Sequence, residues 1–522
     1  VKPNAVELIE QLNAEESRNS VAVFLEAGVT RIRRLVHLAT YGLGVQYRVH
    51  CNDVQTALRG LLERVFFHWE EVDGVKVMTR PFRPSRPTVL DVLGAARAAL
   101  LELVPAVMPL TRSQFLARLG GSKLVRYTKA ADSVEQYPVT TEDSFVSTFV
   151  KAEKLNISAK PDPDPRVIQP RGFRFLYSIG LYIKAIEPVI YRALDRLFGQ
   201  RTVMKGRNAD QRGSAIHKAW KRYVKPAAIG IDASRWDQHV SAALLRFEIS
   251  VYWSIIACSW FKYLLRMLLH NVGFVRCPDG TIKYQVDGSR MSGDMNTALG
   301  NVLLMCLCIW SYLRGKSFHV SLINDGDDCV LICESEYVNE FSDLSEWFAR
   351  LGFVMKVEKP VYVLEEIEFC QSRPVEVAPG VYRMVRDPRV TLDKDLCSVK
   401  PIFTRDDFDF HRSAVAQCGL SLAGDVPVYN EFYRGLLPDT ISRRMQKRLK
   451  LRPLETGADY LALGMHHEYV AAPWQGTRIS FAKAFGIQPD EQVALERRYR
   501  SLRPTWREPT QVQTVLSVYE TA

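Results

Sequence analysis

Residues 227–237 read Ala-Ala-Ile-Gly-Ile-Asp-Ala-Ser-Arg-Trp-Asp, and residues 321–333 read Ser-Leu-Ile-Asn-Asp-Gly-Asp-Asp-Cys-Val-Leu-Ile-Cys. In the first, an apolar run ends at Asp232 and a second carboxylate, Asp237, follows five residues later. In the second, apolar residues flank Asn324-Asp325-Gly326-Asp327-Asp328 on both sides. That pattern predicts two strands joined by a tight turn that presents adjacent carboxylates. Gly326 suits the turn because a residue without Cβ tolerates unusual backbone angles. Between them, Gly288-Ser289-Arg290-Met291-Ser292-Gly293-Asp294 leads through Asn296 and Thr297 to Asn301. It reads as a small-residue loop entering a helix, whose first N–H groups favour anions.

Carboxylates on separate strands are what two-metal phosphoryl transfer needs, since the ions sit roughly 3.5–4 Å apart. Mg²⁺ prefers oxygen ligands and keeps waters and substrate phosphates in its shell. Asp232 and Asp327 supply such ligands, with Asp328 beside them as a weaker or transient one. Each segment alone is commonplace. Their order and spacing, each in suitable secondary structure, carry the reading.

Length alone predicts about three domain-sized units. Of the 522 residues, 47% are hydrophobic and 10% aromatic, enough for large cores and too many for a disordered chain. Sixty-nine basic against 58 acidic residues leave a net charge of +11. That suits a large protein with one cationic channel, not a histone-like tail. Ten cysteines form no CxxC pair and no Cys/His ligand spacing. This argues against a zinc ribbon or disulfide scaffold and for a reducing compartment. The chain begins at Val1, the pattern expected of a portion of a longer product, and residues 1–20 form no secretory signal. Residues 295–313 are uncharged over nearly a membrane-spanning length, but contain Asn296, Thr297, Asn301 and Ser311. A buried helix is therefore predicted there.

Helical patterns are read over residues 5–120, 180–225, 240–272 and 295–315. Strands are read at 227–232, 317–324, 329–333, 354–357 and 361–370. After about residue 387 the chain is mainly helical and basic, with a solvated helix face from Arg443 to Arg452. The fold class is α+β, a small mixed core between two larger, mostly helical regions.

The three segments together resemble motifs A, B and C of a viral RNA-dependent RNA polymerase. The strings DASRWDQHVS, GSRMSGDMNTALGN and NDGDDCVLICE are similar to those of plus-strand RNA viruses of the tombusvirus group and its umbravirus-like relatives, within the flavivirus-like polymerases. Upstream, FVKAEK at 149–154 and KPDPDPRVIQPR at 160–171 resemble motif F. Downstream, GFVMKVEKP at 352–360 and IEFCQ at 367–371 resemble motifs D and E. The resemblance covers about residues 110–400.

The resemblance implies a right-hand fold: fingers with an N-terminal extension over residues 1–222 (motif F about 150–175), palm over 223–385 with a fingers insertion at about 250–285, and thumb over 386–522. It implies RNA synthesis from NTPs on an RNA template, with Mg²⁺ as cofactor and Mn²⁺ able to substitute. Asp232, Asp327 and Asp328 would hold the metals. Asp237, Ser292 and Asn301 would read the ribose 2′-hydroxyl of the bound nucleotide, with Thr297 supporting them and Gly293 also in the nucleotide-binding set. Arg166 and Arg171, with Lys154 or Lys160, would meet the triphosphate, where a guanidinium fork suits phosphate oxygens. Cys370 and Gln371 would grip the primer strand, and Lys123 and Arg126 would touch template. Lys356 and Lys359 both suit the general acid for pyrophosphate. Lys359 is favoured because Pro360 turns the chain after it. A reverse transcriptase is disfavoured by Asp237, where a bulky sugar gate is expected, and by Asn301 and Gly326. A non-catalytic RNA-binding subunit is disfavoured by the intact carboxylates. Relatives imply an auxiliary viral replication protein, host membrane factors, and work in the host cytoplasm at membranes reached through a region or partner outside this chain.

Overall fold

The computed structural model describes residues 4–506 except Glu16, Arg31, Ser442, Arg444, Met445, Lys447, Arg448 and residues 450–461. Apart from Arg443, the basic residues of the run at 443–452 lie outside the described residues.

Helix and strand are mixed along the chain, as the α+β reading requires. The acidic motifs lie in a four-stranded sheet, ordered Ser321–Asp325, Asp328–Glu334, Pro226–Ala233, Met355–Val357, with every pair antiparallel. Alternation sends Ile229, Ile231, Cys329 and Leu331 into one apolar core, and Ala228, Ile323, Val330 and Ile332 into another. Both faces are covered, which is why these strands read as nearly continuous apolar runs. Helices Phe173–Leu197, Ala242–Ile255 and Thr297–Leu313 fill the first core. The hairpin Ser372–Ala378/Val381–Arg386 and helices Arg405–Ala423 and Tyr429–Leu436 fill the second. Helix Thr297–Leu313 is buried almost all round, as expected of residues 295–313. Among the described residues no helix is long and apolar enough to cross a membrane.

A second sheet has five strands, ordered Ser20–Leu25, Gly280–Asp287, His270–Cys277, Val146–Val150, Val167–Ile168. It corrects the helical expectation for residues 5–120. Ser20–Leu25 is a strand because it finds Gly280–Asp287 across the whole of the intervening chain. A local periodicity does not register such a partner. His68–Val72 and Val75–Thr79 form a hairpin closed by Asp73 and Gly74, both at positive φ. The helical reading of 240–272 also stops short, since His270 opens a strand. Residues 361–370 hold isolated bridges at Val361 and Phe369 and a short 3-10 turn, Leu364–Glu366. The real hairpin begins at Ser372.

Residues 36–48 tie the N-terminal third to the C-terminal region. Val36–His37 pairs with Cys397–Ser398. The Asp393 carboxylate accepts from the backbone N–H of Leu43 at 2.7 Å and of Val45 at 3.2 Å. Tyr47 donates to the carbonyl of Val390 at 3.0 Å. Asp393→Ala would strand two partly buried donors and weaken this tie by about 1–3 kcal/mol. Amide exchange should accelerate across residues 36–48 while the four-stranded sheet stays protected; equal acceleration in both would refute a local tie.

Candidate functional site

The acidic turn is a two-residue hairpin. Asp325 pairs with Asp328, and Gly326 takes the first turn position at φ +92°. Glycine at that position marks a turn whose twist matches the strands. The buried Asn324 side chain pins the turn, donating to the Gly326 carbonyl at 2.7 Å and accepting from its N–H at 3.2 Å. Residues directly opposite in an antiparallel ladder share a face. Asp325 faces Asp328, and Lys356 faces Asp232. Cys329 opposes Ile231, so the next position sets Asp328 beside Asp232. Asp325, Asp328, Asp232 and Lys356 therefore form one row across four strands, with Asp327 at the tip of the turn.

Like charges are concentrated here. Asp327 and Asp328 are exposed at the end of the hairpin, yet the protein packed around them displaces part of their water. Burial, then the Asp327 charge, pushes the Asp328 carboxyl up to about 6. Burial also raises Asp327, with the charge of Asp232 adding to the effect. Burial would raise Asp325 too, but Lys205 and Arg212 beside it hold it below the ordinary carboxylate range. Among the described residues, no group of three or more His, Cys, Asp or Glu side chains is arranged to hold a metal ion by itself.

A buried polar network lies next to this row. Asp237 accepts from the Asn301 amide at 2.9 Å, and Asn301 accepts from Arg290 Nε at 2.9 Å. Arg290 is fully buried and pairs with Glu248, donating from Nη1 to Oε1 at 2.9 Å. Glu248 also accepts from Asn296 at 2.7 Å and Tyr252 at 2.8 Å. Gly300 is what lets the pair form, because a Cβ there would lie 2.4 Å from the Arg290 guanidinium and 2.5 Å from Glu248. Burial pushes Asp237 up to about 6, against the pull of Asn301 and Arg290.

The remaining loop residues are held by backbone. The Ser292 hydroxyl accepts from Gln169 N–H at 3.2 Å, and Gly293 forms a parallel bridge with Pro170. Thr297 donates back to the carbonyls of Met291 and Asp294 at 2.9 and 3.0 Å, fixing the loop to its helix. The cleft has two lobes. One of about 260 Å³ gathers Arg166, Asp237, Ser292 and Asp327. The other, about 340 Å³, gathers Asp232, Lys160, Asp164 and His239. Arg64 and Arg235 line both.

Arg166 is half exposed at the first lobe, 3.4 Å from Glu153. Lys160 reaches the second, paired with Asp164 at 2.7 Å. Two residues are not brought to the cleft. Arg171 is fully buried, bound to Asp294 at 2.5 Å, the Ser144 carbonyl at 2.6 Å and Asn271 at 2.6 Å. Lys154 points into the C-terminal region and donates to the Lys394 carbonyl at 2.6 Å. Lys123 and Arg126 are exposed on helix Gly121–Gln136, with Arg126 over the Phe173 ring. Cys370 and Gln371, at φ +51° and +58°, make a left-handed turn between Phe369 and Ser372. The Cys370 thiol lies 3.6 Å from Asp325 as its donor. Both lysines are exposed; Lys356 stands opposite Asp232, whereas Lys359 lies two residues beyond the strand.

Sequence reasoning missed Arg64, Asp164, Arg235, Lys205, Arg212, Glu248 and Arg290 as parts of the site. Glu248 carried a signal, being the one acid in the apolar helix Ala242–Ile255. Arg290 lay inside the quoted loop. Lys205 and Arg212 had none, because their approach to Asp325 comes only from folding.

Facing carboxylates beside a cationic cleft define a site suited to polyphosphate substrates. The chain belongs to the viral RNA dependent RNA polymerase family, whose model matches residues 21–507. It is similar to the RNA-directed RNA polymerases of Pothos latent virus (38% identical over 478 residues; 92% of this chain, 63% of the relative), Panicum mosaic virus (40% over 492; 92% and 49%) and Turnip crinkle virus (38% over 487; 93% and 62%). The chain thus spans about half to just under two thirds of these relatives' lengths.

Arg290→Met would leave Glu248 buried and unpaired, at a cost of about 3–5 kcal/mol. The thermal midpoint should fall clearly, and Arg290→Met/Glu248→Met should recover much of the loss. Additive losses would mean that the two charges do not act as a pair.

Proposed function

We propose that this chain is the catalytic region of a plus-strand RNA virus RNA-directed RNA polymerase, joining NTPs on a viral RNA template to replicate the genome. The observation that carries the reading is the row Asp325–Asp328–Asp232–Lys356, with Asp327 at its tip and the Asp237–Asn301 pair beside it. The proposed right hand takes the four-stranded sheet as palm within residues 223–385, residues 1–222 as fingers and 386–522 as thumb. In favour of a fingers insertion, His270–Cys277 and Gly280–Asp287 leave the central sheet and pair with Val146–Val150 and Ser20–Leu25.

Asp232, Asp327 and Asp328 are the proposed holders of Mg²⁺, or Mn²⁺ in its place. Crowded carboxylates, two with raised pKa, fit a hard cation, whose shell is completed by water and phosphate oxygens rather than by a closed protein cage. When bound, the ions would activate the 3′-hydroxyl and neutralise the phosphates. Asp237 and Asn301, with Ser292 nearby, take the ribose 2′-hydroxyl. Arg290 fixes the Asn301 amide, so a deoxy sugar leaves buried polar groups unpaired and is rejected. Arg166 meets the triphosphate. Lys160 and Arg235, held at rest by Asp164, are within the same cleft. Lys356 is the better placed lysine to give a proton to departing pyrophosphate. RNA template, product and NTPs are the partners, with an auxiliary viral protein and host membrane factors acting in the host cytoplasm.

Asp327→Asn removes charge at constant shape. RNA synthesis should be lost while RNA binding and folding persist; synthesis above a tenth of wild type would refute the role. For proton transfer, Lys356→Leu should slow the single-turnover chemical step by roughly 10²–10⁴, the range for general acid catalysis. Lys359→Leu should change it little. Nucleotide affinity should hold in both, because the proton moves only in the transition state. The reverse ranking would return the role to Lys359.

A further inference from the structure

The turn carries an acid that the proposed chemistry does not use. Asp325 lies directly across from Asp328 and shares a face with Asp232. A carboxylate in that place is a natural ligand for a hard cation. Its oxygens are instead taken. Lys205 Nζ lies 2.7 Å from Oδ1, Arg212 Nη2 lies 2.6 Å from Oδ2, and the Cys370 thiol points at Oδ2 from 3.6 Å.

The two cations are fixed differently. Arg212 is 3% exposed and also donates to the Arg207 carbonyl at 2.9 Å. Lys205 is 29% exposed and sits on a loop stitched to the acidic strand, with Met204 N–H bonded to the Asn324 carbonyl at 2.8 Å and Asn324 N–H to that of Thr202 at 2.9 Å. Its ammonium comes within 4.0 Å of where a Cβ of Gly326 would be, so it overlies the turn.

We propose that Lys205, with Arg212 behind it, withdraws Asp325 from the cation-binding set, so that the turn offers Asp327 and Asp328 and no third carboxylate. Lys205 is then a positioning residue that sets which divalent ion the site accepts. The inference rests on the reading of Asp232 and Asp327 as metal ligands. Without Lys205, Asp325 Oδ1 loses its cation while the residue stays directly across the ladder from Asp328. The extra negative charge strengthens binding generally, and it favours Mn²⁺ and Ca²⁺ over Mg²⁺, which demands near-ideal octahedral geometry.

The test is Mn²⁺ binding to the RNA-free full chain, followed by electron paramagnetic resonance of the free ion, with Mg²⁺ and Ca²⁺ as competitors. Lys205→Met should bind Mn²⁺ about tenfold more tightly, as added ligand charge does in other oxygen sites. Mg²⁺ should compete less well than in the wild type. Lys205→Arg should restore wild-type behaviour, and Asp325→Asn in the Lys205→Met background should abolish the gain. Asp325→Asn alone should bind Mn²⁺ as the wild type does, which tests the idea even if Lys205→Met fails to fold. Unchanged affinity in folded Lys205→Met, a gain that survives Asp325→Asn, or weaker binding in Asp325→Asn alone would overturn the inference. Asp327→Asn distinguishes the deeper failure: if it leaves Mn²⁺ binding intact, the metal reading falls and this inference falls with it.

Discussion

Like charge crowded into one row at the end of a sheet is the constraint on which the site depends. Antiparallel pairing sets Asp325, Asp328 and Asp232 in one row, and the turn adds Asp327. Left alone, such a row would protonate or spread apart, as the raised positions of Asp327 and Asp328 indicate. The fold answers with cations from five separate segments. Lys205 comes from a loop and Arg212 from helix Ala209–Trp220, both in the segment before the first acidic strand, Lys356 from the edge strand, and Arg166 from the five-stranded sheet's margin. Arg64 and Arg235 complete the walls. The modest net charge of +11 is thus enough, because position matters more than total.

The margin of the five-stranded sheet meets the loop before helix Thr297–Leu313 at this cleft by backbone contact. Just beyond strand Val167–Ile168, residues 169 and 170 touch the loop at 288–294 through the Pro170–Gly293 bridge and the Ser292–Gln169 bond. That contact carries Arg166 to the lobe that holds Asp237. The same path takes Arg171 inward to Asp294, so two arginines five residues apart have opposite fates. One is half exposed at the cleft, and the other ties the loop at 288–294 to Asn271 of the five-stranded sheet.

What was legible in the sequence follows the range of the forces involved. Asp232, Gly326 and Asp327 were readable because strand alternation and turn chemistry are local. The buried helix at 295–313 was readable for the same reason. The strand Ser20–Leu25 was not, since its partner is Gly280–Asp287. Arg171 and Lys154 looked alike to Arg166 and Lys160 as basic residues in one motif. Only packing separates those buried against Asp294 and Lys394 from those lining the cleft. That Lys356 rather than Lys359 stands opposite Asp232 likewise turns on register, which one residue's slip would invert.

Gly300, Arg290 and Glu248 are locked to one another, and that has an evolutionary meaning. A methyl at Gly300 collides with both charges, and loss of either charge strands the other in the core. Contacting residues of this kind depart strongly from additivity. Each single step away from the trio is therefore costly even where a double or triple replacement is tolerable. Asn301 and Asp237 inherit that immobility through their hydrogen bonds to Arg290 and to each other. Lineages descending from this sequence would then vary freely around the trio while crossing it only by simultaneous change, so its members should be gained or lost together rather than drift one at a time.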